Sequence, residues 1–344
     1  MSEDEYVDQV VKQIDSYTRT IEALVCLDSA LRYDDEIRGY LPGSCVFQGR
    51  HMTASGTSVC PDLVVQLDSA HGIVSEVKLT ASTETDFQDA EEQVRQYDIE
   101  LVGWDTDDET VGQYDICLLV DYSWAGKAGE FFQGTQSTRP YGRPFVLLSA
   151  TRNDLVNSFL TFESRLGGFS DNQVKGKFQK RAGIVTVPLE KLVGAFAKIK
   201  FYDAKPPHVE HTMDVLWTEY LTKKDLPARS VVRRGRQVQQ KRVEPGGAAE
   251  FLRQTYTMFI GQVRQPTIPQ PDWIREALDV FVEINRAERD GATPNVYWVN
   301  SRARTAGLEG FARQVYKKRL KRESRRANKP KGAQLKLIEQ SNEP

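Results

Sequence analysis

An uninterrupted apolar run, Ile116-Cys117-Leu118-Leu119-Val120, constrains the fold of this chain more than any other segment. Such a run is typical of a β-strand that is buried on both faces, inside a sheet covered by helices on both sides. The preceding sequence predicts helices at residues 7–25, 27–40 and 87–102, and strands at residues 45–49, 58–67 and 72–79. The order of helical region, three strands, helix and strand predicts an α/β sandwich with a mixed sheet.

The rest of the chain predicts further elements and a domain boundary. Residues 145–148 fit a strand and residues 155–166 fit a helix, and the prolines of Lys205-Pro206-Pro207 predict a boundary. Beyond it, helices are predicted at residues 213–221, 247–260, 272–289 and 307–326, and a strand at 296–299. We therefore predict an α/β domain at 1–165, a linker at 166–205, a mainly helical domain at 206–330 and a flexible tail at 331–344.

Composition predicts where the protein resides. The four cysteines, Cys26, Cys45, Cys60 and Cys117, lack C-x-x-C spacing, which favours free thiols in a reducing compartment over a zinc site or a disulfide framework. No apolar run reaches membrane-spanning length, and the N-terminus is acidic and lacks an apolar signal stretch. We therefore expect a soluble, cytoplasmic protein that has no membrane partner.

Charge is distributed unevenly along the chain. Residues 1–122 contain 26 acidic and 7 basic residues, a net charge of −19. Because the whole chain has a net charge of −2, the remainder carries +17. The basic portion is expected to attract a polyanion, and the acidic portion is not. Solvated surfaces, or pairing of one portion with the other, are the alternative explanations.

Three short motifs in the acidic portion suggest a catalytic site: Pro61-Asp62, Glu76-Val77-Lys78 and the segment from Gln93 to Tyr97. Strand alternation places Glu76 and Lys78 on the same face of one strand. A turn centred on Ala70 would pair Leu67 with Ile73 and Asp62 with Lys78. Asp62 would then be the diagonal neighbour of Glu76, with β-carbons about 7–8 Å apart.

Two carboxylates at that separation can hold one divalent cation between them. Mg²⁺ prefers oxygen ligands and binds few protein groups, and Mn²⁺ can substitute for it. Lys78 would stabilise charge on a phosphate or hold the attacking water. Gln93 and Tyr97 share a helix face because they are four residues apart. The simpler alternatives are a turn aspartate, a surface Glu76–Lys78 ion pair and an ordinary half-buried helix face.

In these motifs the chain resembles the PD-(D/E)XK nuclease superfamily, and the Gln-x-x-x-Tyr helix is similar to that of its RecB-like branch. The resemblance covers about residues 20–122. It implies a restriction-endonuclease-like fold in which Asp62, Glu76 and the carbonyl group of Val77 bind the metal. It also implies that Lys78 is the catalytic lysine, that Gln93 and Tyr97 support the site, and that an upstream acid, either Glu36 or Glu22, completes the metal ligands.

Two basic stretches in the C-terminal part predict a nucleic-acid-binding domain. Residues 302–331 carry 12 bases and 2 acids, and residues 223–242 carry eight bases and one acid. Basic stretches among short helices and a strand weakly resemble a winged-helix or helix-turn-helix module, and residues 231–243 would be either a wing or a disordered loop. The candidate DNA-binding residues are Arg233, Arg234, Arg236, Lys241, Arg242, Arg313, Lys317, Lys318, Arg319, Lys321 and Arg322.

Together these features predict a Mg²⁺-dependent DNA endonuclease. By the superfamily resemblance, it would act in genome defence, restriction or mobile-element processing, alone or with other defence proteins. A homodimer is a further expectation, because cutting both strands of a duplex generally needs two active sites. One alternative is a nuclease that acts on RNA or on branched DNA. The other is a non-catalytic DNA-binding or scaffold protein on a nuclease fold.

Overall fold

In the computed structural model, the described residues are 1–34, 39–40, 43–47, 51–53, 55–67, 71–102, 113–154, 158–180, 182–192, 199–202, 205–233, 235–256, 267–300 and 307–327. The chain divides into two compact units, and each unit combines separate stretches of sequence. The sheet unit comprises Asp15–Lys205 and Phe251–Pro269. The hairpin unit comprises Met1–Ile14, Pro206–Glu250 and Gln270–Pro344. Thus residues 1–14 group with the C-terminal part of the chain.

The first helix, α1 (Glu3–Arg32), is continuous, whereas the sequence predicted two helices with the second ending near residue 40. Leu24, Leu27 and Leu31 extend the apolar stripe across the expected break and pack into one core. The side chain of Lys177 donates hydrogen bonds to the carbonyl groups of Leu31 at 2.9 Å and Tyr33 at 2.6 Å. These bonds satisfy carbonyl groups at and just beyond the C-terminal end of the helix, which would otherwise lack partners within it.

Twelve strands follow α1 in the described part of the sheet unit. They are β1 (Tyr33–Asp34), β2 (Gly39–Tyr40), β3 (Gly43–Phe47), β4 (His51–Thr53), β5 (Ser58–Val59), β6 (Leu63–Leu67), β7 (His71–Lys78), β8 (Leu101–Val102), β9 (Gln113–Asp121), β10 (Phe145–Asn153), β11 (Phe159–Leu166) and β12 (Ile184–Pro188). The main sheet has the order β12-β11-β10-β9-β7-β6-β3. β9 runs parallel to both β7 and β10, and the other neighbours are antiparallel. The predicted mixed sheet is therefore confirmed.

Helices cover both faces of this sheet. They are α2 (Glu84–Tyr97), α3 (Ala125–Thr138) and α4 (Asn172–Lys180), together with the second part of α1. Cys117 and Leu119 of β9 pack with α1 and α4, whereas Leu118 and Val120 pack with α2 and α3. The run from Ile116 to Val120 is apolar throughout because both of its faces are buried, as the sequence predicted.

The helix predicted over residues 155–166 is wrong, because the segment contains β11. In β11, Leu160 and Phe162 point into the core two residues apart, which is the period of a strand. β11 pairs with β10 on one side and with β12 on the other. These long-range pairings override the local helix pattern.

The helix predicted over residues 87–102 is shifted in the structure. α2 begins three residues earlier, because Thr83 and Asp86 form a reciprocal capping box at its N-terminus. It ends at Tyr97, and the Asp98 carboxylate accepts hydrogen bonds from the backbone N–H groups of Gly142 and Arg143, both at 2.9 Å. Leu101 and Val102, the predicted end of the helix, form β8 instead.

The hairpin unit combines helices with a four-stranded antiparallel sheet of order β13-β14-β16-β15. Its elements are α5 (Val209–Val215), a π-helical turn (Leu216–Leu221), β13 (Ala228–Arg233), β14 (Arg236–Val243), α6 (Pro245–Tyr256, which continues into the sheet unit), α7 (Pro271–Glu283), β15 (Ala287–Arg289), β16 (Tyr297–Asn300) and α8 (Leu308–Ala327). Trp217, Phe281 and Phe311 form its aromatic core, with ring centroids 5.3 to 6.2 Å apart.

Two predictions for this unit need correction, and a third is tested only in part. The described residues 231–233 and 236–243 belong to the antiparallel strands β13 and β14, so the disordered-loop alternative is wrong and the wing alternative stays a prediction. The helix predicted over 272–289 ends at Glu283, because residues 287–289 pair with β16. The helix predicted over 247–260 is assigned only over Pro245–Tyr256, and residues 257–260 lie outside the described part. The winged-helix resemblance stays a prediction.

No helix in the described part of the chain combines the length and the apolar character needed to cross a membrane.

Candidate functional site

The candidate site lies at the carboxyl end of β7, on the sheet face that α2 covers. Val74 packs against Phe87, Ala90 and Val94 of α2 in one core. Glu76 is two residues further along the strand and therefore points to the same side. Strand alternation thus brings the Glu76 side chain to the face that α2 covers, near Tyr97 in the last turn of that helix.

The register of β6 and β7 differs by two residues from the predicted register. Val65 pairs with Ile73 and Leu63 pairs with Ser75, whereas the sequence analysis paired Leu67 with Ile73. Continuation of the observed register places Asp62 opposite Glu76. A shift by two residues keeps every side chain on its predicted face, because strands repeat every two residues. The Asp62 carboxylate accepts a hydrogen bond from the backbone N–H of Val77 at 2.8 Å.

Glu76 is buried, with 4% of its surface exposed, and both of its carboxylate oxygens are engaged. Oε2 accepts a 2.6 Å hydrogen bond from the hydroxyl of Tyr97, and Oε1 lies 2.8 Å from Nζ of Lys78. The side chain of Lys78 is 29% exposed, so the ammonium group links the buried carboxylate to the surface. A buried carboxylate is costly unless such partners hold it, and the surface ion-pair alternative therefore does not fit Glu76.

Tyr97 is a permanent hydrogen-bond donor to this carboxylate. Burial, followed by the negative charge of Glu76 and its hydrogen bond, raises the pKa of the Tyr97 phenol above its ordinary value. The Asp62 carboxylate raises the same pKa, so its charge also acts on the phenol. Tyr97 therefore remains protonated at neutral pH and fixes one oxygen of Glu76.

The structure does not bring every predicted site residue into this cluster. Gln93 is half-buried one turn before Tyr97, and within the described part of the chain it forms no hydrogen bond to these side chains. Glu22 forms an ion pair with Arg152 of β10, on the sheet face that α1 covers. Glu36, the other candidate for the upstream acid, lies outside the described residues.

The donor set of the cluster fits a hard divalent cation. Asp62 and Glu76 supply carboxylate oxygens, and each such oxygen has more than one lone pair, so a hydrogen bond does not exhaust it. Among the residues with described side chains, no group of three or more His, Cys, Asp or Glu residues is arranged to hold a metal. A cation here would therefore need waters, or a ligand beyond those side chains, such as the carbonyl group of Val77.

A second polar group lies on the same sheet face, two strands away. Lys78 pairs with Val120 of β9, and Val120 pairs with Ser149 of β10. Arg165 donates a 2.9 Å hydrogen bond from Nε to Oγ of Ser149, and its guanidinium lies 4.7 Å from the ring centre of Tyr122. The sequence did not predict the contact between Arg165 and Ser149, because residues 155–166 were expected to form a helix. The contact arises from the pairing of β11 with β10.

The bases of the β13–β14 hairpin are partly engaged by acids of the same unit. Arg233 forms an ion pair with Glu288, and Arg242 lies 2.8 Å from Glu244. Lys241 donates a 2.5 Å hydrogen bond to the carbonyl group of Leu221. Arg236 is exposed near the turn of the hairpin, whereas Arg234 lies outside the described residues.

Several bases of α8 lie near acids, although Lys317, Lys318, Arg319, Lys321 and Arg322 are exposed. Arg313 is 2.7 Å from Asp4, and Lys317 is 3.1 Å from Glu3. A groove between α7 and α8 contains both signs of charge, and its charged lining residues are Asp272, Arg275, Glu276, Asp279, Glu283, Lys318, Arg319, Lys321 and Arg322. These contacts reduce the effective positive charge of the helix.

Division by structural unit also changes the charge asymmetry. The hairpin unit contains 25 bases and 20 acids, a net charge of +5, and the sheet unit therefore carries −7. The split by sequence position, −19 against +17, is larger, because the acidic residues 1–14 belong to the hairpin unit and many bases beyond residue 122 belong to the sheet unit. Local clusters of cations, and not the net charge of a unit, must therefore explain any attraction to a polyanion.

No protein-family model matches the chain, and neither a curated protein nor a solved structure shows significant similarity to it.

Proposed function

We propose that this protein is a Mg²⁺-dependent DNA endonuclease. The observation that carries the proposal is the arrangement of Glu76, a buried carboxylate held by Tyr97 and Lys78, with Asp62 beside it at the end of β7. Burying a carboxylate this fully needs compensating contacts, and strongly organised buried charges of this kind concentrate at functional sites. The PD-(D/E)XK resemblance of the same residues supports this assignment.

In this proposal each residue of the cluster has a separate role. Asp62 and Glu76 bind the cation, and Tyr97 holds Glu76 in the binding orientation. A divalent cation at this position would neutralise the phosphate and lower the pKa of a bound water. Lys78 is the partly exposed cation of the cluster, and it would stabilise negative charge on the phosphate or orient the attacking water.

A substrate panel tests the proposal. The purified full-length chain is incubated with supercoiled plasmid, linear duplex, branched DNA, single-stranded DNA and RNA, in Mg²⁺, in Mn²⁺ or with a chelator. We expect DNA cleavage with either metal and none with the chelator, because the proposed site activates the attacking water through the bound cation. Cleavage of RNA alone, or of branched DNA alone, would favour the alternative nuclease and exclude a general DNA endonuclease.

A non-catalytic scaffold is the second candidate, because the described side chains include no cluster of three metal-binding groups. Calorimetric titration with Mn²⁺ separates the two. The nuclease requires a binding heat that disappears in Glu76→Ala, whereas a scaffold on a degenerate site gives the same heat, or none, in both proteins. Genome defence remains a proposal based on the superfamily resemblance, and a homodimer remains one because cutting both strands generally needs two active sites.

We further propose that the hairpin unit contacts the phosphates of DNA. Arg236→Ala is expected to weaken binding of all DNA sequences equally and to lower the slope of log affinity against log salt concentration by about 1, since one phosphate contact is lost. The measurement is fluorescence anisotropy of a duplex at several salt concentrations, without divalent metal. Lys12→Ala, which removes an exposed base of α1 in the same unit, is the control and should leave the slope unchanged. Equal slopes for Arg236→Ala and the unmodified protein would exclude this contact.

A further inference from the structure

Tyr122 and Arg165 form an aromatic–cation pair on the same side of the sheet as Glu76 and Lys78. Tyr122 directly follows β9 and is 52% exposed, although it is a large aromatic side chain. The Arg165 guanidinium lies over its ring at 4.7 Å. Arginine stacked on an exposed aromatic ring is a combination that proteins use to bind single-stranded nucleic acid.

Arg165 is held in place by several contacts. Its Nε donates to Oγ of Ser149, which is 1% exposed, and its Nη2 lies 2.8 Å from Glu163. A guanidinium has five N–H donors, so these two contacts leave others for a ligand. The side chain is 26% exposed, which lets those donors reach solvent. The arginine is therefore oriented before any ligand binds.

The turn after β9 contributes a second pair of the same kind. Trp124 closes the turn, and the ammonium group of Lys127 lies 5.1 Å from the centre of its ring. The Asp121 carboxylate accepts a 2.8 Å hydrogen bond from the N–H of Ser123, which fixes the turn at the end of the strand. Two aromatic–cation pairs thus involve the turn after β9, in a unit whose net charge is −7.

The position of this pair relative to the candidate metal site is set by the sheet. Lys78, Val120 and Ser149 are register partners across three adjacent strands. Strands lie about 4.8 Å apart, so Ser149 is about 10 Å from Lys78 across the sheet. An extended single strand crosses such a distance within a few nucleotides, so one strand could contact both places.

We propose that Tyr122 and Arg165 form a subsite for the DNA strand that is cut at Asp62 and Glu76, an inference that rests on the proposed function. Tyr122 stacks on an unpaired base, and Arg165 binds a phosphate of the same strand, within a few nucleotides of the scissile bond. The subsite explains how an acidic unit retains a polyanion near its active site. It also implies a preference for DNA that is single-stranded or frayed on one side of the cut.

The test uses the full-length chain and single-stranded oligonucleotides that carry the fluorescent base 2-aminopurine at successive positions, with a chelator present. We expect one position at which the unmodified protein quenches the fluorescence. Tyr122→Ala should remove this quenching and weaken binding about tenfold, because a stacked base is lost. Tyr122→Phe keeps the ring and should retain the quenching.

Arg165→Ala should weaken binding, and Arg165→Lys should restore part of the lost affinity. Ile184→Ala, which trims an exposed apolar side chain of β12 in the same unit, is the control.

The outcomes separate the subsite from the proposed function, because binding is measured without cleavage. Quenching that depends on Tyr122 in a protein that never cleaves DNA would support the subsite and overturn the nuclease. A protein that cleaves DNA but binds and quenches equally in Tyr122→Ala, Arg165→Ala and Ile184→Ala would overturn the subsite. Quenching that occurs with an RNA oligonucleotide and not with the DNA oligonucleotide would overturn the assignment of the subsite to DNA.

Discussion

Replacing Lys78 with alanine is expected to lower the rate of Mg²⁺-dependent DNA cleavage by about 100-fold or more, the usual effect of removing one group that stabilises transition-state charge. Asp62→Ala should have an effect at least as large, because it removes one of the two carboxylates that would bind the cation at the proposed site. DNA affinity in a chelator should change little in both variants, since the proposed contacts that hold DNA lie in the hairpin unit and at Tyr122 and Arg165. The measurements are single-turnover cleavage of a plasmid and anisotropy of a labelled duplex.

Two controls make this result specific. Lys175→Ala removes an exposed lysine of α4, on the other face of the sheet, and should leave cleavage unchanged. Circular dichroism of Lys78→Ala shows whether the loss of an ion pair to a buried carboxylate has unfolded the protein. Cleavage at the normal rate in folded Lys78→Ala and Asp62→Ala would refute the active-site assignment.

Asp28→Ala is expected to lower the free energy of unfolding by about 3–5 kcal/mol, because it breaks a buried ion pair. The Asp28 carboxylate accepts hydrogen bonds from Nε of Arg32 at 2.5 Å and from Nη2 at 3.0 Å. Asp28 is fully buried and Arg32 is 2% exposed. Removal of the carboxylate leaves the arginine charge in the core between α1 and the sheet. The change is measured by urea denaturation at neutral pH.

An exposed ion pair of the same unit provides the comparison. Arg152 and Asp154 lie 2.9 Å apart, and their side chains are 39% and 55% exposed. Asp154→Ala should destabilise the protein far less than Asp28→Ala, because water screens the charges. The double variant Asp28→Leu/Arg32→Met should recover much of the stability, since an apolar pair can replace a buried ion pair. A loss below about 1 kcal/mol in Asp28→Ala would show that the Arg32 charge is solvated or otherwise compensated.

Much of the candidate site could be predicted because it depends on local periodicity. Glu76 and Lys78 share a strand face at a spacing of two, whatever the strand pairs with. Gln93 and Tyr97 share a helix face at a spacing of four for the same reason. The hydrogen bond between Tyr97 and Glu76 could not be predicted, because it depends on how α2 lies across β7.

Other features were mispredicted where distant segments compete with local pattern. Residues 159–166 were expected to be helical, but they form a strand because they pair with β10 and β12. The predicted β6–β7 register differs from the observed one by two residues, because the composition of a turn does not determine which of its residues lies at its centre. Residues 1–14 fit an amphipathic helix, and only tertiary contacts assign them to the hairpin unit.

By itself, the sequence determined the mixed α/β sheet, the doubly buried strand at Ile116–Val120 and the shared face of Glu76 and Lys78, because apolar periodicity encodes them within a few residues. The tertiary structure alone decided the partners of Glu76, the placement of Arg165 beside Ser149 and the division of charge between the two units. These features depend on contacts between residues that are far apart in the chain. Such contacts form only when strands and helices pack together, so no local pattern specifies them.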